Sequence, residues 1–143
     1  MAVVTDAMEE WPTGRLLSTA ARLVEHAWTE ALEKRGLTHA GMIALHFLDG
    51  GPLSQTELAR LARVETQTMS RTVERLERTG FVQRRTDASD RRRMVVTRTA
   101  AGDVAWADIR TIESSVFPAH SDGPELRASL LEIIRRSAAG RWE

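Results

Sequence analysis

The chain has 143 residues, 42% of them hydrophobic, and it contains no cysteine. This length suits one folded domain with its own core, and the lack of cysteine excludes disulfides, thiolate metal sites and thiol-based redox sensing. Twenty basic residues balance twenty acidic ones, so the overall charge does not indicate a nucleic-acid partner. No apolar run reaches the length of about 18 residues needed for a membrane span, and the first residues are acidic, so we expect neither a membrane segment nor a secretory signal and predict a cytoplasmic protein.

The N-terminal third of the chain predicts two helices. Pro12 suits the start of a first helix at about residue 13, and apolar residues then recur at helical spacing from Leu16 to Ala31. Gly36 is expected to end this helix. Thr38 is placed to cap a second helix, and the turn sequence Asp-Gly-Gly-Pro at residues 49–52 ends it.

Residues 54–79 predict two further helices in a helix-turn-helix arrangement. Ser54 and Glu57 fit a capping box, which starts a third helix of about two turns. A fourth helix is predicted over residues 65–79, ended by Gly80. Its inward stripe consists of Met69, Val73 and Leu76.

The opposite side of the fourth helix is the candidate reading surface for DNA. Hydroxyl and amide groups lie toward its N-terminal end and guanidinium groups behind them, and such groups reach base edges and phosphates. These residues are Thr66, Gln67, Thr68, Ser70, Arg71 and Arg75. The alternative is an ordinary solvated helix face, which also carries Thr, Gln and Arg.

The segment after Gly80 predicts a β-hairpin. The strands FVQRR and RMVVT flank an Asp- and Ser-rich turn. An arginine at the tip would gain from the negative potential of a narrow minor groove, and Asp90 is placed to hold its neighbour in position. The tip arginines are Arg91, Arg92 and Arg93. A charged turn that merely prevents edge-to-edge pairing is the alternative.

Charge is concentrated in this same central region. Residues 54–98 carry eleven arginines and six acidic residues, a net charge of +5, whereas residues 1–53 carry −3 and residues 99–143 carry −2. The basic segment is therefore the one that holds the helix-turn-helix pattern and the hairpin, which favours binding to DNA.

Two amphipathic helices are predicted at the C-terminal end. A fifth begins at about Thr99 and ends at Pro118, and a sixth is capped by Asp122 with Glu125, with Pro124 in its first turn. The apolar stripes are Ala105, Ile109, Ile112 and Val116 on the fifth helix, with Trp106 beside them, and Leu126, Leu130, Ile133 and Ile134 on the sixth. With the first helix they carry more apolar surface than a compact lobe covers, which favours a second copy of the chain over a closed monomeric core.

These motifs resemble the MarR (multiple antibiotic resistance regulator) family of winged-helix transcription regulators. The resemblance covers most of the chain and is carried by LTHAGMIALHFL and GPLSQTELA, by TMSRTVERLERTGFVQRR, and by the wing pattern D-x-x-D-R-R followed by T-x-x-G at residues 99–102. It implies a mostly α, α+β fold: one domain over residues 1–143, with a winged helix-turn-helix lobe at 38–98 and dimerisation helices at 13–36 and 99–139. It also implies a homodimer that binds a pseudo-palindromic operator, more often as a repressor than as an activator.

The resemblance also assigns the DNA-binding residues and an effector. It places Arg91 in the minor groove and divides Arg92 between structural pairing and phosphate contact. The complete predicted DNA-binding set is Ser54, Gln55, Thr66, Gln67, Thr68, Ser70, Arg71, Arg75, Arg91, Arg92 and Arg93. A small aromatic or phenolic effector is implied in a cleft bordered by the first two helices, near Trp28, His26, Met42, His46 and Phe47, although such a stripe is more often core filling. No effector residue follows from the sequence.

Two residues depart from the family pattern. Glu65 stands where a Ser or Thr often caps the fourth helix, so Thr66 is an alternative cap. Arg98 stands where a leucine usually precedes the Thr of T-x-x-G, which puts the packing of the second wing strand in question.

Nothing in the sequence indicates catalysis, a metal or a cofactor. The carboxylates lie on solvated helix faces, and the chain shows no nucleophile triad, phosphate-binding glycine loop or metal-ligand spacing. His26, His39, His46 and His120 are interpreted as polar residues rather than ligands. The second function considered is a winged-helix module for protein contact, RNA contact or architectural DNA binding without operator specificity; RNA ranks low because the basic segment offers only Phe81 for stacking.

Overall fold

The computed structural model describes residues 7–117 and 123–138. The N-terminal helices are α1 (Thr13–Glu33) and α2 (His39–Phe47), followed by a 3₁₀ turn (Leu48–Gly50). The central elements are β1 (Leu53–Ser54), α3 (Gln55–Ala62), α4 (Thr66–Thr79), β2 (Val82–Thr86) and β3 (Met94–Arg98). The chain continues with α5 (Ala100–Val116) and α6 (Pro124–Ala138).

Local capping signals place most helix starts where they were predicted. The Thr38 hydroxyl accepts a hydrogen bond from the Gly41 amide, and the Ser54–Glu57 capping box is complete, with both bonds formed. Gly36 has a φ of +71° just after α1, a left-handed conformation that suits glycine at a helix end. The expectation for Thr66 is wrong: Glu65 is the N-cap of α4, its side chain makes no capping bond, and Thr66 is the first helical residue.

The hairpin is confirmed, and it belongs to a three-stranded antiparallel sheet in the order β1-β3-β2. Val82 pairs with Arg98 and Thr86 with Met94 across the hairpin. The third strand, β1, was not predicted, because two residues are too short to show an alternating pattern. Its Leu53 pairs with Val96, so the middle strand of the sheet is the last in sequence.

The core lies between the helix-turn-helix, the sheet and one face of α5. The predicted inward stripe of α4 is buried, as are three of the four predicted stripe residues of α5. The largest fully buried side chains are Leu32, Leu45, Leu58, Met69, Val73, Val82 and Val96. The core therefore fixes α4 against the start of the hairpin.

The outer helices are not covered within one chain. On α1 the stripe residues Leu16 and Leu23 are 40% and 67% exposed, and no residue of α6 is buried. Pro118 and Asp122, predicted to end α5 and to cap α6, lie outside the described residues, as does residue 139. Within the part of the chain that the structure describes, no helix is long and apolar enough to cross a membrane.

Candidate nucleic-acid interface

The outer face of α4 presents polar side chains to solvent. Gln67 and Arg71 are both exposed and lie one turn apart, opposite the buried stripe. Thr66 and Thr68 beside them are also exposed, whereas Ser70 is half-buried. Arg78 continues the row from Arg71 at a spacing of seven residues and is exposed. The sequence analysis did not include Arg78, although this helical spacing predicts it on the same face.

Arg75 also borders the turn between α1 and α2. It borders a cleft of about 390 Å³ together with Thr38 and His39, at the turn between α1 and α2. Arg75 is exposed and lies one turn after Arg71, so it stands at the end of the row nearest this cleft.

The two predicted residues at the start of α3 are less accessible than expected. Ser54 is 5% exposed, and its hydroxyl accepts the Glu57 amide at 3.1 Å. The prediction that Ser54 contacts DNA does not fit this structure. Its hydroxyl takes part in the helix cap, and the residue pairs with Val95 in the sheet. Gln55 is half-buried, and its Oε1 atom has no hydrogen-bond partner among the described residues.

The wing turn between β2 and β3 is held by its own aspartates. Asp87 accepts the Ser89 amide at 2.9 Å and the Ser89 hydroxyl at 2.8 Å, and these bonds hold the pKa of Asp87 below its ordinary value. The Asp87 amide donates to the Arg93 carbonyl at 2.9 Å, and the Arg93 amide to the Asp90 carbonyl at 3.0 Å. Both backbone bonds involve Arg93, so the turn is closed at the last of the three arginines.

The three wing arginines occupy different environments. Arg92 is paired with Asp90, with Nε 3.3 Å from Oδ1, and its side chain is 93% exposed. This agrees with the structural pairing that the family resemblance implied for Arg92. Arg93 reaches Glu57 of α3 at 4.0 Å. Arg91 is exposed, and no hydrogen bond or ion pair joins its side chain to any described residue, so this guanidinium is open to a phosphate or a groove.

An ion pair fixes the hairpin to α4. Glu77 accepts the Arg84 backbone amide at 3.1 Å and the Arg84 Nη2 at 3.1 Å. The hydrogen bond from the Arg84 side chain, followed by the one from its amide, holds the pKa of Glu77 below its ordinary value of 4.5. The β2–β3 hairpin and α4 are thus joined directly to each other.

The T-x-x-G motif joins the end of the hairpin to the end of α4. The Thr99 amide donates to the Phe81 carbonyl at 3.0 Å, and its hydroxyl donates to the Gly80 carbonyl at 2.6 Å and accepts the Gly102 amide at 3.1 Å. A Cβ atom on Gly102 would overlap the Phe81 carbonyl oxygen. Glycine is therefore required for this close approach of α5 to the chain after α4.

Arg98 resolves the question raised by its departure from the family pattern. Its side chain is 14% exposed and donates to the Leu45 carbonyl at 3.1 Å, to Asp49 at 3.1 Å and to Asp103 at 2.6 Å. The second wing strand packs with this arginine in place, because the guanidinium has three acceptors. Sequence reasoning missed this cluster since Leu45 and Asp49 lie about fifty residues away along the chain.

A second cleft, of about 390 Å³, lies between α1, α2 and α5. Of the residues named from the sequence, Trp28, Met42, His46 and Phe47 line it, whereas His26 does not and instead lies 3.5 Å from Glu30. Trp106 and Glu113 of α5 line the same cleft. Within residues 7–117 and 123–138, no group of three or more His, Asp or Glu residues is placed to hold a metal ion.

Comparisons with known proteins agree with this architecture. The sequence model of the MarR family matches residues 35–93. The chain is 37% identical over 81 residues to an HTH-type transcriptional regulator of Bacillus subtilis, a match covering 56% of this chain and 59% of the relative. It is 35% identical over 95 residues to an HTH-type transcriptional repressor of Mycobacterium bovis, covering 66% of this chain and 68% of the relative.

A solved structure extends the similarity over nearly the whole chain. The MarR family transcriptional regulator of Streptomyces coelicolor, determined in complex with DNA, superposes with a TM-score of 0.75 at 28% identity. The superposition covers 92% of this chain and 90% of the other. Together with the sequence matches and the winged helix-turn-helix built from α3, α4 and the β2–β3 hairpin, it shows that the chain belongs to the MarR family of transcription regulators.

Proposed function

We propose that this protein is a homodimeric repressor that binds a pseudo-palindromic operator. The observation that carries the proposal is the joint exposure of two groups, Gln67 with Arg71 on α4 and Arg91 on the wing, in the one basic segment of the chain. A helix fits the major groove and an arginine fits a narrow minor groove, so one protomer would read both. The similarity to a named repressor supports the direction of regulation.

The proposed contacts divide according to what holds each side chain. Gln67 and Thr68 are assigned to base edges, and Arg71 to a base edge or a neighbouring phosphate. Arg91 is assigned to the minor groove because nothing in the described chain engages it, whereas Arg92 and Arg93 already have carboxylate neighbours and are assigned to phosphates. The winged-helix lobe spans residues 38–98 in this proposal.

The dimer is proposed to form through the outer helices, residues 13–36 and 99–139. Leu23 on α1 and Ile133 and Ile134 on α6 are 67%, 44% and 58% exposed in the single chain. Burying such side chains is favourable by about 1.5 to 3 kcal/mol each when burial is complete. A two-fold dimer places its two reading helices about one duplex turn apart, which matches an inverted repeat.

A small aromatic effector is proposed to bind the cleft lined by Trp28, His46 and Trp106. The cleft borders α2, which packs against α4, and α5, which continues directly from the wing. An effector would release DNA only if it bound the DNA-incompatible arrangement more tightly, and a tenfold loss of operator affinity needs about 1.4 kcal/mol of difference.

Selection of bound duplexes from a random DNA pool, at about physiological salt, tests the proposal because phosphate-driven binding is then weak. We expect an inverted repeat with half-sites about ten base pairs apart. The matched variant Gln67→Ala should change the recovered base preference, while non-specific binding stays as in the wild type. Recovery of no motif by folded protein would contradict operator recognition and favour a protein-interaction or architectural module.

A further inference from the structure

The cleft between α1, α2 and α5 has aromatic walls on several sides. Trp28, Phe47 and Trp106 are half-buried and pack against the core. The His46 ring of α2 lies close to the Trp106 ring of α5, with 5.4 Å between centroids. It also lies 5.2 Å from the ring of its neighbour Phe47. A ligand in the cleft would therefore contact the faces and edges of aromatic rings. The cleft has a volume of about 390 Å³, which suits a small molecule.

The polar side chains of the lining are the His46 imidazole and one carboxylate. Glu113 of α5 contributes a carboxylate, and no arginine or lysine of the described residues lines the cleft. Glu113 is exposed, and none of the ion pairs among the described residues includes it. An anionic ligand would bring a second negative charge beside this carboxylate without a guanidinium or ammonium to receive it.

We propose that this cleft selects a cationic ligand, an ammonium or guanidinium carried on an aromatic or aliphatic body. Aromatic ring faces attract cations because of their quadrupole, and tryptophan does so best. The carboxylate of Glu113 supplies the complementary charge. The chain already contains such a pairing, since the Arg15 guanidinium lies 3.8 Å from the centre of a Trp11 ring.

This inference rests on the proposed effector role of the cleft, and it narrows the class of effector: a phenolic or aromatic acid is expected to bind poorly, and an aromatic amine well. The ligand body occupies the space between Trp28 and Trp106, while its cationic end lies toward Glu113. Ligand binding and DNA binding are separate measurements, so the two proposals are tested independently.

The test uses three probes that share one phenyl ring and differ in the charge of a short chain: phenethylammonium, 2-phenylethanol and 3-phenylpropanoate. Their dissociation constants for the full chain are measured by quenching of tryptophan fluorescence, since Trp28 and Trp106 line the cleft, and are checked by calorimetry. We expect the cation to bind about tenfold more tightly than the anion, with the alcohol between them.

Two variants test whether the Glu113 carboxylate is responsible for the preference for a cation. Glu113→Gln should weaken the cation by about five- to tenfold and leave the neutral alcohol unchanged, which also reports that the cleft is intact. Glu113→Lys should reverse the preference in favour of 3-phenylpropanoate. Equal binding of the cation and the anion, no binding of any probe, or equal weakening of cation and alcohol by Glu113→Gln would each overturn the proposal.

The two proposals can fail separately. If DNA selection yields an operator while the probes do not bind as expected, only the cationic-ligand proposal is wrong. If the probes bind as expected and no operator is recovered, only the proposed operator binding is wrong.

Discussion

Arg98 shows how a charged residue can be accommodated, largely buried, at the end of a strand. Its guanidinium is largely removed from solvent and meets one carbonyl and two carboxylates, each from a different element. A buried cation without partners would be costly, but one with its donors satisfied contributes hydrogen bonds of the stronger, charge-assisted kind.

The variant Arg98→Met should lower the free energy of unfolding by about 1 to 3 kcal/mol, because methionine keeps much of the aliphatic stem while the three hydrogen bonds are lost. Urea unfolding at one fixed protein concentration measures the change. Asp49→Asn, which keeps the other two acceptors, should cost clearly less. A methionine variant as stable as the wild type would mean that the cluster contributes no net stability.

Gly102→Ala tests the close approach of α5 to the chain after α4. Alanine normally stabilises a helix relative to glycine by about 0.5 to 1 kcal/mol. At Gly102 its Cβ would overlap the Phe81 carbonyl oxygen, and we expect destabilisation by about 1 to 3 kcal/mol instead. The matched control is Gly14→Ala in α1, where nothing lies within 4 Å of the added carbon. Opposite signs in thermal unfolding are expected, and two stabilised variants would contradict the steric argument.

The range of an interaction along the chain decided which of these features the sequence predicted. Caps such as Thr38 with Gly41 and Ser54 with Glu57 are local, so their spacing was sufficient. Two of the three partners of Arg98, Leu45 and Asp49, are distant in sequence and carry no spacing signal. The reading-face residues of α4 were placed from helical periodicity, but the hydroxyl of Ser54 was assigned to DNA although its capping role already buries it.

At the scale of elements, the wing is a preformed turn that leaves one guanidinium unengaged. Asp87 and Asp90 close the turn through backbone and side-chain bonds, so Arg91 does not have to order the loop on binding. Preorganisation of this kind lowers the entropic cost of a contact.

Arg91→Ala should therefore weaken operator binding most strongly at sites with A·T-rich flanks, where the minor groove is narrow. The salt dependence of binding should fall by about one counterion equivalent. Fluorescence anisotropy with matched A·T- and G·C-flanked duplexes measures both effects. Arg110→Ala on α5, an exposed arginine outside the basic segment, serves as the control. An unchanged affinity for Arg91→Ala would remove the minor-groove role.

The Glu77–Arg84 pair makes the contact between α4 and the wing sensitive to acid. The pKa of Glu77 is lowered in the folded protein, so its contribution to stability is present above the ordinary value of 4.5 and is lost as the pH falls through the lowered pKa. The stability difference between wild type and Glu77→Gln should shrink as the pH falls below about 4.5, as followed by urea unfolding. Arg84→Met should remove the same pH-dependent part. A stability difference that stays constant as the pH falls would show that the Glu77–Arg84 pair does not cause the pH dependence.

At the scale of the whole molecule, the proposed dimer accounts for the apolar surface on the outer helices. Ile134→Asp places a charge on the face of α6 that the interface would bury, and we expect the dimer dissociation constant to rise about a hundredfold, or about 2.7 kcal/mol. Sedimentation velocity distinguishes the 16.0-kDa chain from its dimer. The control Arg135→Asp changes charge at the next position, which is polar. A wild-type protein that sediments as a monomer would contradict the assignment.

The order of the strands has a consequence for how the protein is made. β3 is the middle strand of the sheet, yet it follows both of its neighbours in sequence. A nascent chain ending at residue 86 holds both outer strands and lacks the one that joins them, as well as Arg98 and Thr99, which tie α2 and α4 to the hairpin. The contacts that tie α4 to the hairpin can therefore be complete only after β3 and the first turn of α5 have been synthesised.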